Sequence, residues 1–151
     1  MILMDILARV LISIFALAGF FVAFHIYKEK REKKPLICPM RFDCNTVVNS
    51  DYSKFFGVPV ELFGMYYYLA IFLSYIFIAF LPSVLPILFL IVVAFISIGA
   101  FVFSIYLILI QIFALKTYCS WCLISAFIST CIFFLTMYAY DFSSLFGLLL
   151  K

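Results

Sequence analysis

The chain has 151 residues, of which 69% are hydrophobic, 21% are aromatic and only 11% are charged. Soluble domains carry about 25% charged residues, and a soluble chain of this size buries only about 70% of its surface. A soluble globular enzyme is therefore excluded, because such a fold would expose far more apolar surface than stays in solution. The aromatic content and a net charge of +3 also exclude a disordered chain and a nucleic-acid-binding protein. The composition requires a lipid bilayer as the solvent.

Stretches without charged residues divide the chain into four candidate membrane spans. No Asp, Glu, Lys or Arg occurs in residues 10–27, 62–115 or 117–140. A helix needs about 20 apolar residues to cross a bilayer, so the middle stretch is long enough for two helices, and Pro82 and Pro86 mark the break between them. The predicted spans are 6–27, 59–81, 86–115 and 119–140.

The charged residues are concentrated between the first two spans. Residues 28–58 carry 11 of the 17 charges, and a Lys or Arg at the bilayer centre costs about 2.5–3.5 kcal/mol. This segment must therefore lie in water or at the headgroups, and its first part, 28–34, is expected to extend the first helix. The fold class that follows is an all-α, integral membrane four-helix bundle. It is expected to form a single domain over residues 1–151, with the charged loop between the first two helices.

Four of the five cysteines fall at the loop side of this bundle. Cys38 and Cys44 lie in the loop, whereas Cys119 and Cys122 form a C-x-x-C where the fourth span begins. Residues i and i+3 share one face of a helix, and the free N–H groups at a helix start favour a thiolate. A loop pair opposite a fixed pair is what a thiol relay needs, because electrons can then pass between the pairs through a mixed disulfide. Cys131, inside the fourth span, is interpreted as core filler.

Two alternatives to a relay remain open. Four thiolates can hold a structural zinc ion, although such sites usually pair cysteines at C-x2–4-C spacing in a small soluble domain. The loop pair is spaced more widely and the other pair enters a membrane helix, so we expect no metal. The cysteines could also form inert disulfides in a non-enzymatic membrane module, such as a carrier of small solutes.

The acceptor of the electrons is expected to come from the membrane. The sequence has no nucleotide-binding glycine motif, no set of haem ligands and no second cysteine cluster. A lipid quinone of the ubiquinone or menaquinone type suits a bundle rich in Phe and Tyr. Its reduction takes up two protons, and Glu61, near the start of the second span, is a candidate to handle them. The alternative interpretation is a carboxylate stabilised by the positive end of its helix.

The order of these residues resembles the vitamin K epoxide reductase family, and in particular its prokaryotic quinone-reducing homologues. The resemblance covers about residues 10–140. DsbB-type quinone reductases share the chemistry and the helix count but carry C-x-x-C in the first loop, so the order in this chain favours the first family. The residues that carry the resemblance are Cys38-x5-Cys44, Ser50, Gly57-x-Pro59, Gly64, Tyr68 and Cys119-x-x-Cys122.

The resemblance implies a role for each matched residue. Cys38 would exchange with a thioredoxin-like partner, Cys44 would pass the reducing equivalents to Cys119, and Cys122 would face the quinone. Ser50 matches a supporting hydroxyl near the active cysteines. The matched residues of the segment that lines the quinone pocket are Gly57, Pro59, Gly64 and Tyr68, with Glu61 an unusual residue among them.

The resemblance also bears on substrate and domain organisation. Ala126 stands where the vertebrate enzymes carry a pocket tyrosine, seven residues after the first cysteine of the C-x-x-C motif. Vitamin K epoxide is therefore not the expected substrate. No thioredoxin-like domain is expected to be fused within the 151 residues.

Membrane orientation is predicted differently by charge and by resemblance. Loop and link carry eight basic residues, against Arg9 and Lys151 on the other side. The positive-inside rule places the eight in the cytoplasm, whereas most prokaryotic homologues are expected to face their cysteines outward. We expect a multi-pass protein of the cell membrane with the cysteine face in the cytoplasm. The eight are Lys28, Lys30, Arg31, Lys33, Lys34, Arg41, Lys54 and Lys116.

Overall fold

The computed structural model describes residues 2–35, 37–38, 43–81 and 87–140. Within these residues, four helices are long and apolar enough to cross a membrane, and the predicted all-α membrane bundle is confirmed. In chain order the elements are α1 (Ile2–Arg31), α2 (Cys44–Val48), a 3-10 helix (Asp51–Ser53), β1 (Lys54–Phe55), β2 (Val58–Pro59), α3 (Val60–Phe80), α4 (Ile87–Leu109), a π-helix (Ile110–Leu115) and α5 (Ser120–Tyr140).

The predicted spans agree closely with the long helices. α1 extends four residues beyond the predicted 6–27 at each end, and α3 and α5 begin within one residue of the predicted positions. The third span consists of α4 and the π-helix that continues it. The predicted proline break at 82–86 and the tail at 141–151 lie outside the described residues.

The helical extension predicted for residues 28–34 is confirmed as far as Arg31. There a Schellman motif ends α1: Lys33 adopts a left-handed φ of 56°. The Lys34 N–H donates to the Glu29 carbonyl at 3.1 Å, and the Lys33 N–H donates to the Lys30 carbonyl at 3.3 Å. These bonds satisfy carbonyls that the helix end would otherwise leave without partners. α1 therefore ends at a defined residue.

The centre of the bundle is formed by α1, α3 and α5, while α4 packs chiefly on α5. Phe101 of α4 stacks on Phe133 of α5 with ring centroids 4.5 Å apart. The outer faces carry exposed apolar side chains such as Phe21, Phe80 and Phe95, as expected of a surface in contact with lipid. The central cluster of buried side chains comprises Ile12, Ala16, Ala23, Tyr68, Ile71, Tyr75, Val93, Ile128 and Ile132.

Tyr68 connects the three central helices. A Cβ atom added to Gly19 of α1 would overlap the Tyr68 ring, so a glycine is needed for this approach, as is common where membrane helices pack closely. The Tyr68 hydroxyl donates to the Ser125 carbonyl at 2.7 Å and lies 2.9 Å from the Ser125 hydroxyl. Ser125 follows Cys122 by one helical turn, so Tyr68 fixes the part of α5 that carries the inner cysteine.

The loop between α1 and α3, whose structure the sequence analysis leaves open, contains short regular elements. α2 begins at Cys44, and the Asp43 carboxylate caps it by accepting the Thr46 N–H at 3.2 Å. β1 and β2 pair as a hairpin whose turn residues, Phe56 and Gly57, both have positive φ. Two such residues define a type I′ turn, which matches the twist of the strands. The described part of the loop thus has a regular folded structure.

Candidate active site

Three cysteine sulfur atoms meet at the loop end of the bundle. Cys38 and Cys44 form a disulfide with their Cα atoms 5.8 Å apart. The Sγ atoms of Cys38, Cys44 and Cys119 all lie within 4.8 Å of one another. Cys44 and Cys119 are 1% and 0% exposed, whereas Cys38 is half-buried. The structure therefore brings the loop pair to the first cysteine of the C-x-x-C motif, as the sequence analysis predicts.

The loop is held against the start of α5 by Trp121, which lies between Cys119 and Cys122 in the sequence. The Trp121 Nε1–H donates to the Ile37 carbonyl at 3.1 Å, next to Cys38. Ile26, Val47 and Val48 complete an apolar cluster around Cys44 and Cys119.

Cys119 occupies the N-cap position of α5. Its Sγ accepts the backbone N–H of Cys122 at 3.4 Å, as a capping side chain does. The pKa of the Cys119 thiol is lowered, chiefly by the hydrogen bond with the Cys122 side chain and further by the backbone N–H groups of Cys122 and Trp121, while burial opposes the shift. Because the thiolate is the form that attacks and leaves in thiol–disulfide exchange, this capping favours exchange at the sulfur nearest to the loop disulfide.

Gln111 orients Cys119 from the neighbouring helix. Its Oε1 accepts the Cys119 N–H at 3.1 Å, and its side chain is only 4% exposed. Gln111 lies in the π-helix, a form that often marks functional sites because it changes the direction of side chains within a helix. The sequence analysis missed this residue. Its signal was a lone amide inside the charge-free stretch 62–115, where a polar side chain in a membrane span needs a partner.

A cavity of about 390 Å³ extends from Cys122 into the bundle, bounded mainly by α3, α4 and the loop, with further lining from α5. α3 and α4 make few contacts with each other, which leaves this space between them. Apolar side chains such as Phe63, Phe103 and Ile108 provide much of its wall. Its polar lining residues include Ser50, Ser53, Glu61, Tyr67, Tyr68, Gln111, Cys122, Ser125 and Ser129.

An ion pair between α1 and α3 lies at the edge of this cavity. Lys30 Nζ is 3.4 Å from Glu61 Oε1 and donates to Ser53 Oγ at 3.1 Å. The side chains of Lys30 and Glu61 are only 15% and 8% exposed. Glu61 Oε2 is buried and has no hydrogen-bond partner among the residues that the structure describes. One oxygen of the Glu61 carboxylate is thus bound by Lys30, and the other is unbound among the described residues.

The family model of vitamin K epoxide reductase matches this chain over residues 10–137, which is most of its length. The chain belongs to the vitamin K epoxide reductase family. No curated protein matches it significantly. Membership in the family, together with four helices that can span a membrane and the disulfide beside a third cysteine, makes this protein a multi-pass membrane thiol oxidoreductase.

The predicted pocket residues of this family member fall into two groups. Gly57 and Pro59 are not among the residues that line the cavity, and their place beside a quinone stays a prediction. Gly57 forms the hairpin turn, where φ is 81° and an added Cβ would meet nothing within 4 Å, and Pro59 ends β2 directly before α3. The predicted residues that do line the cavity are Ser50, Glu61, Gly64, Tyr68 and Cys122.

Two further residues named from the sequence have clear positions. The Ser50 hydroxyl donates to the Val47 carbonyl at 2.7 Å and thereby closes the end of α2. The bond lies at the opposite end of α2 from Cys44, and the supporting role of Ser50 stays a prediction. Cys131 is a half-buried free thiol in α5, outside the group of three sulfur atoms.

Members of this family typically use quinones, and the cavity suits such a group. Its volume falls within the range of about 300–1,000 Å³ that is usual for small-molecule sites. Aromatic and aliphatic walls suit a flat apolar ring, and the unpartnered Glu61 Oε2 is a polar atom that a bound carbonyl or hydroxyl can approach. Cys122 lines the same cavity, so a free thiol is in reach of a group bound there.

Proposed function

We propose that this protein oxidises a thioredoxin-like partner through Cys38 and Cys44 and reduces a lipid quinone through Cys119 and Cys122. The observation that carries the proposal is the position of the Cys119 Sγ within 4.8 Å of both sulfurs of the loop disulfide. This arrangement supports exchange between a pair that reaches water and a pair that reaches the cavity. The activity would supply oxidising equivalents for disulfide formation in other proteins.

The outer exchange starts at Cys38. Cys38 is half-buried and follows the exposed Ile37, whereas Cys44 is 1% exposed. A partner thiolate therefore attacks Cys38, and Cys44 leaves as a thiolate. The second thiol of the partner then resolves this mixed disulfide. The partner leaves oxidised, and Cys38 and Cys44 become a dithiol.

The inner exchange joins Cys44 to Cys119. The Cys44 thiolate attacks Cys119 of an oxidised Cys119–Cys122 pair, and Cys122 leaves. Cys38 then attacks Cys44, which restores the loop disulfide and releases the Cys119 thiol. The resulting state has a loop disulfide and free thiols at Cys119 and Cys122, which is the state of the structure described above.

The last step takes place in the cavity lined by Cys122. A quinone bound there would accept two electrons and two protons as the Cys119–Cys122 dithiol becomes a disulfide. Tyr68 and Gln111 hold the two cysteines of the motif through Ser125 and through the Cys119 N–H. Most of the surface of this cavity is apolar.

A zinc site is the competing candidate, because three sulfur atoms cluster. A structural zinc ion usually takes four ligands as thiolates or imidazoles. The fourth cysteine of the set, Cys122, is not part of the cluster, and two of the three sulfurs are bonded to each other. The geometry therefore favours disulfide exchange.

The proposal is tested by mixing the purified protein with reduced thioredoxin and a soluble quinone. The quinone absorbance should fall as thioredoxin is oxidised. Cys44→Ala and Cys122→Ala should each abolish this change, whereas Cys131→Ala, which removes a thiol outside the cluster, should retain it. Quinone reduction that survives in Cys44→Ala, or one zinc ion bound per chain, would contradict the relay.

We further propose that the cysteine face lies in the cytoplasm. Eight of the ten basic residues lie on the cysteine side of the bundle, and the positive-inside rule places such residues in the cytoplasm. This is chemically coherent in organisms whose cytosolic proteins contain disulfides. A membrane-impermeant thiol reagent applied to intact cells after mild reduction should leave Cys38 unlabelled until the cells are permeabilised. Strong labelling of Cys38 from outside would place the face on the opposite side.

A further inference from the structure

We propose that Glu61 carries a proton to the quinone in the cavity and that Lys30 connects Glu61 to water outside the bundle. This inference rests on the proposed quinone reduction and assigns one of its protons a path through named residues. It concerns the ion pair between α1 and α3, which plays no part in the exchange of disulfides.

Lys30 lies between two cavities. On one side it lines a polar crevice of about 290 Å³ at the end of α1. On the other side its Nζ contacts Glu61, which lines the inner cavity together with Cys122. The pair therefore joins the outer crevice to the cavity through one contact of 3.4 Å. The outer crevice is lined by Lys30, Lys33, Lys34, Pro35, Asn45 and Asn49.

A purely structural role does not account for this ion pair. Removing two charges from water is costly, and well-packed apolar residues often replace such a pair without loss of stability. Ionisable residues within a membrane span are for this reason usually functional. Glu61 Oε1 is paired with Lys30, whereas Oε2 is buried without a hydrogen-bond partner among the described residues. The free oxygen is the atom available to a ligand in the cavity.

The groups around Glu61 suit proton transfer from the water side to the cavity side. Lys30 faces it from α1, with the Ser53 hydroxyl bound to the same ammonium group. On α5, Cys122 lines the same cavity as Glu61. Glu61 thus has a cation on the water side and the redox pair on the cavity side.

Protons and electrons balance over this step. Oxidation of the Cys119 and Cys122 thiols to a disulfide forms one S–S bond and releases two electrons and two protons. Reduction of the quinone to a quinol takes up two of each. Glu61 takes up one proton from the Lys30 side and gives it to one quinone oxygen. One thiol proton goes to the other quinone oxygen, and the second thiol proton is released to water. The carboxyl group ends each turnover as it began.

The test compares two half-reactions in Glu61→Gln, which keeps the size of the side chain but cannot release a proton. We expect steady-state quinone reduction to fall at least tenfold, while oxidation of thioredoxin by the loop disulfide in a single turnover stays within twofold of wild type. Glu32→Gln is the matched control, since Glu32 is an exposed carboxylate paired with Lys34. It should leave both half-reactions unchanged.

Two further variants separate proton transfer from structure. Lys30→Met combined with Glu61→Gln removes both charges, so that no buried charge lacks a partner, and its quinone reduction should stay as slow as that of Glu61→Gln alone. In Glu61→Ala, added formate should restore part of the rate, because a small acid can occupy the space left by the side chain.

Three results would overturn the inference: quinone reduction by Glu61→Gln within twofold of wild type, equal loss of both half-reactions, or full activity in the double variant. Failure of the proposed function would look different. In that case the wild-type protein itself would not reduce quinone.

Discussion

Gln111→Met should disrupt the positioning of Cys119. The change keeps the length of the side chain but removes the oxygen that accepts the Cys119 N–H at 3.1 Å. Both residues are buried, at 4% and 0% exposure, so the N–H is left without a partner. Such a loss costs about 1–3 kcal/mol, which lowers the fraction of molecules with Cys119 in its reactive position by roughly 5- to 150-fold at 1.4 kcal/mol per factor of ten.

The assay uses the Cys122→Ala background, in which the reverse of the inner exchange, attack of Cys119 on Cys44 of the loop disulfide, forms a Cys44–Cys119 linkage that only Cys38 can undo. Its rate of formation from the loop disulfide, followed by mass spectrometry of acid-trapped protein, should fall by that factor in Gln111→Met. Ile112→Met is the matched control, because Ile112 is the next residue of the π-helix and is exposed to lipid. An unchanged rate in Gln111→Met, or an equal loss in the control, would refute the role of this amide.

Two further predictions concern packing and pH. Gly19→Ala should destabilise the bundle by about 1–3 kcal/mol, because the new methyl group overlaps the Tyr68 ring. Gly99→Ala is the control and should leave the stability unchanged, because its Cβ meets nothing within 4 Å. Equal unfolding midpoints of the two variants in mixed micelles would contradict this prediction. The pKa of Cys119 is lowered chiefly by the Cys122 side chain, so the thiolate forms at lower pH when a donor is present. The linkage to Cys119 should accordingly form at lower pH in Cys122→Ser than in Cys122→Ala, and identical pH profiles would count against it.

The sequence was sufficient to predict the helices because the bilayer constrains them so strongly. Charge-free stretches of known length locate the spans, and the ends of α1, α3 and α5 follow within a few residues. The four cysteines of the proposed relay could also be selected from the sequence, because their spacing and their position at one membrane face carry chemical meaning. What the sequence could not supply was the distance between the pairs, which depends on how the loop folds.

The loop and the polar contacts of the site were beyond prediction for a physical reason. α2, β1 and β2 are two to five residues long, too short for any periodic pattern. Lys30 and Glu61 are 31 residues apart in the chain, and their pairing depends on the packing of α1 against α3. Gln111 contacts Cys119 only because a π-helix turns it inward.

The position of Trp121 gives this protein an intrinsic optical probe. It is the one tryptophan in the sequence, its Nε1–H is bound to the Ile37 carbonyl at 3.1 Å, and its ring centroid lies 4.9 Å from that of His25. If the loop moves away from α5 when it binds its partner, the Trp121 N–H exchanges the Ile37 carbonyl for water, and the contact between the indole ring and His25 changes. Indole emission would then report docking and release of the loop in real time, in the unmodified chain and without any attached dye.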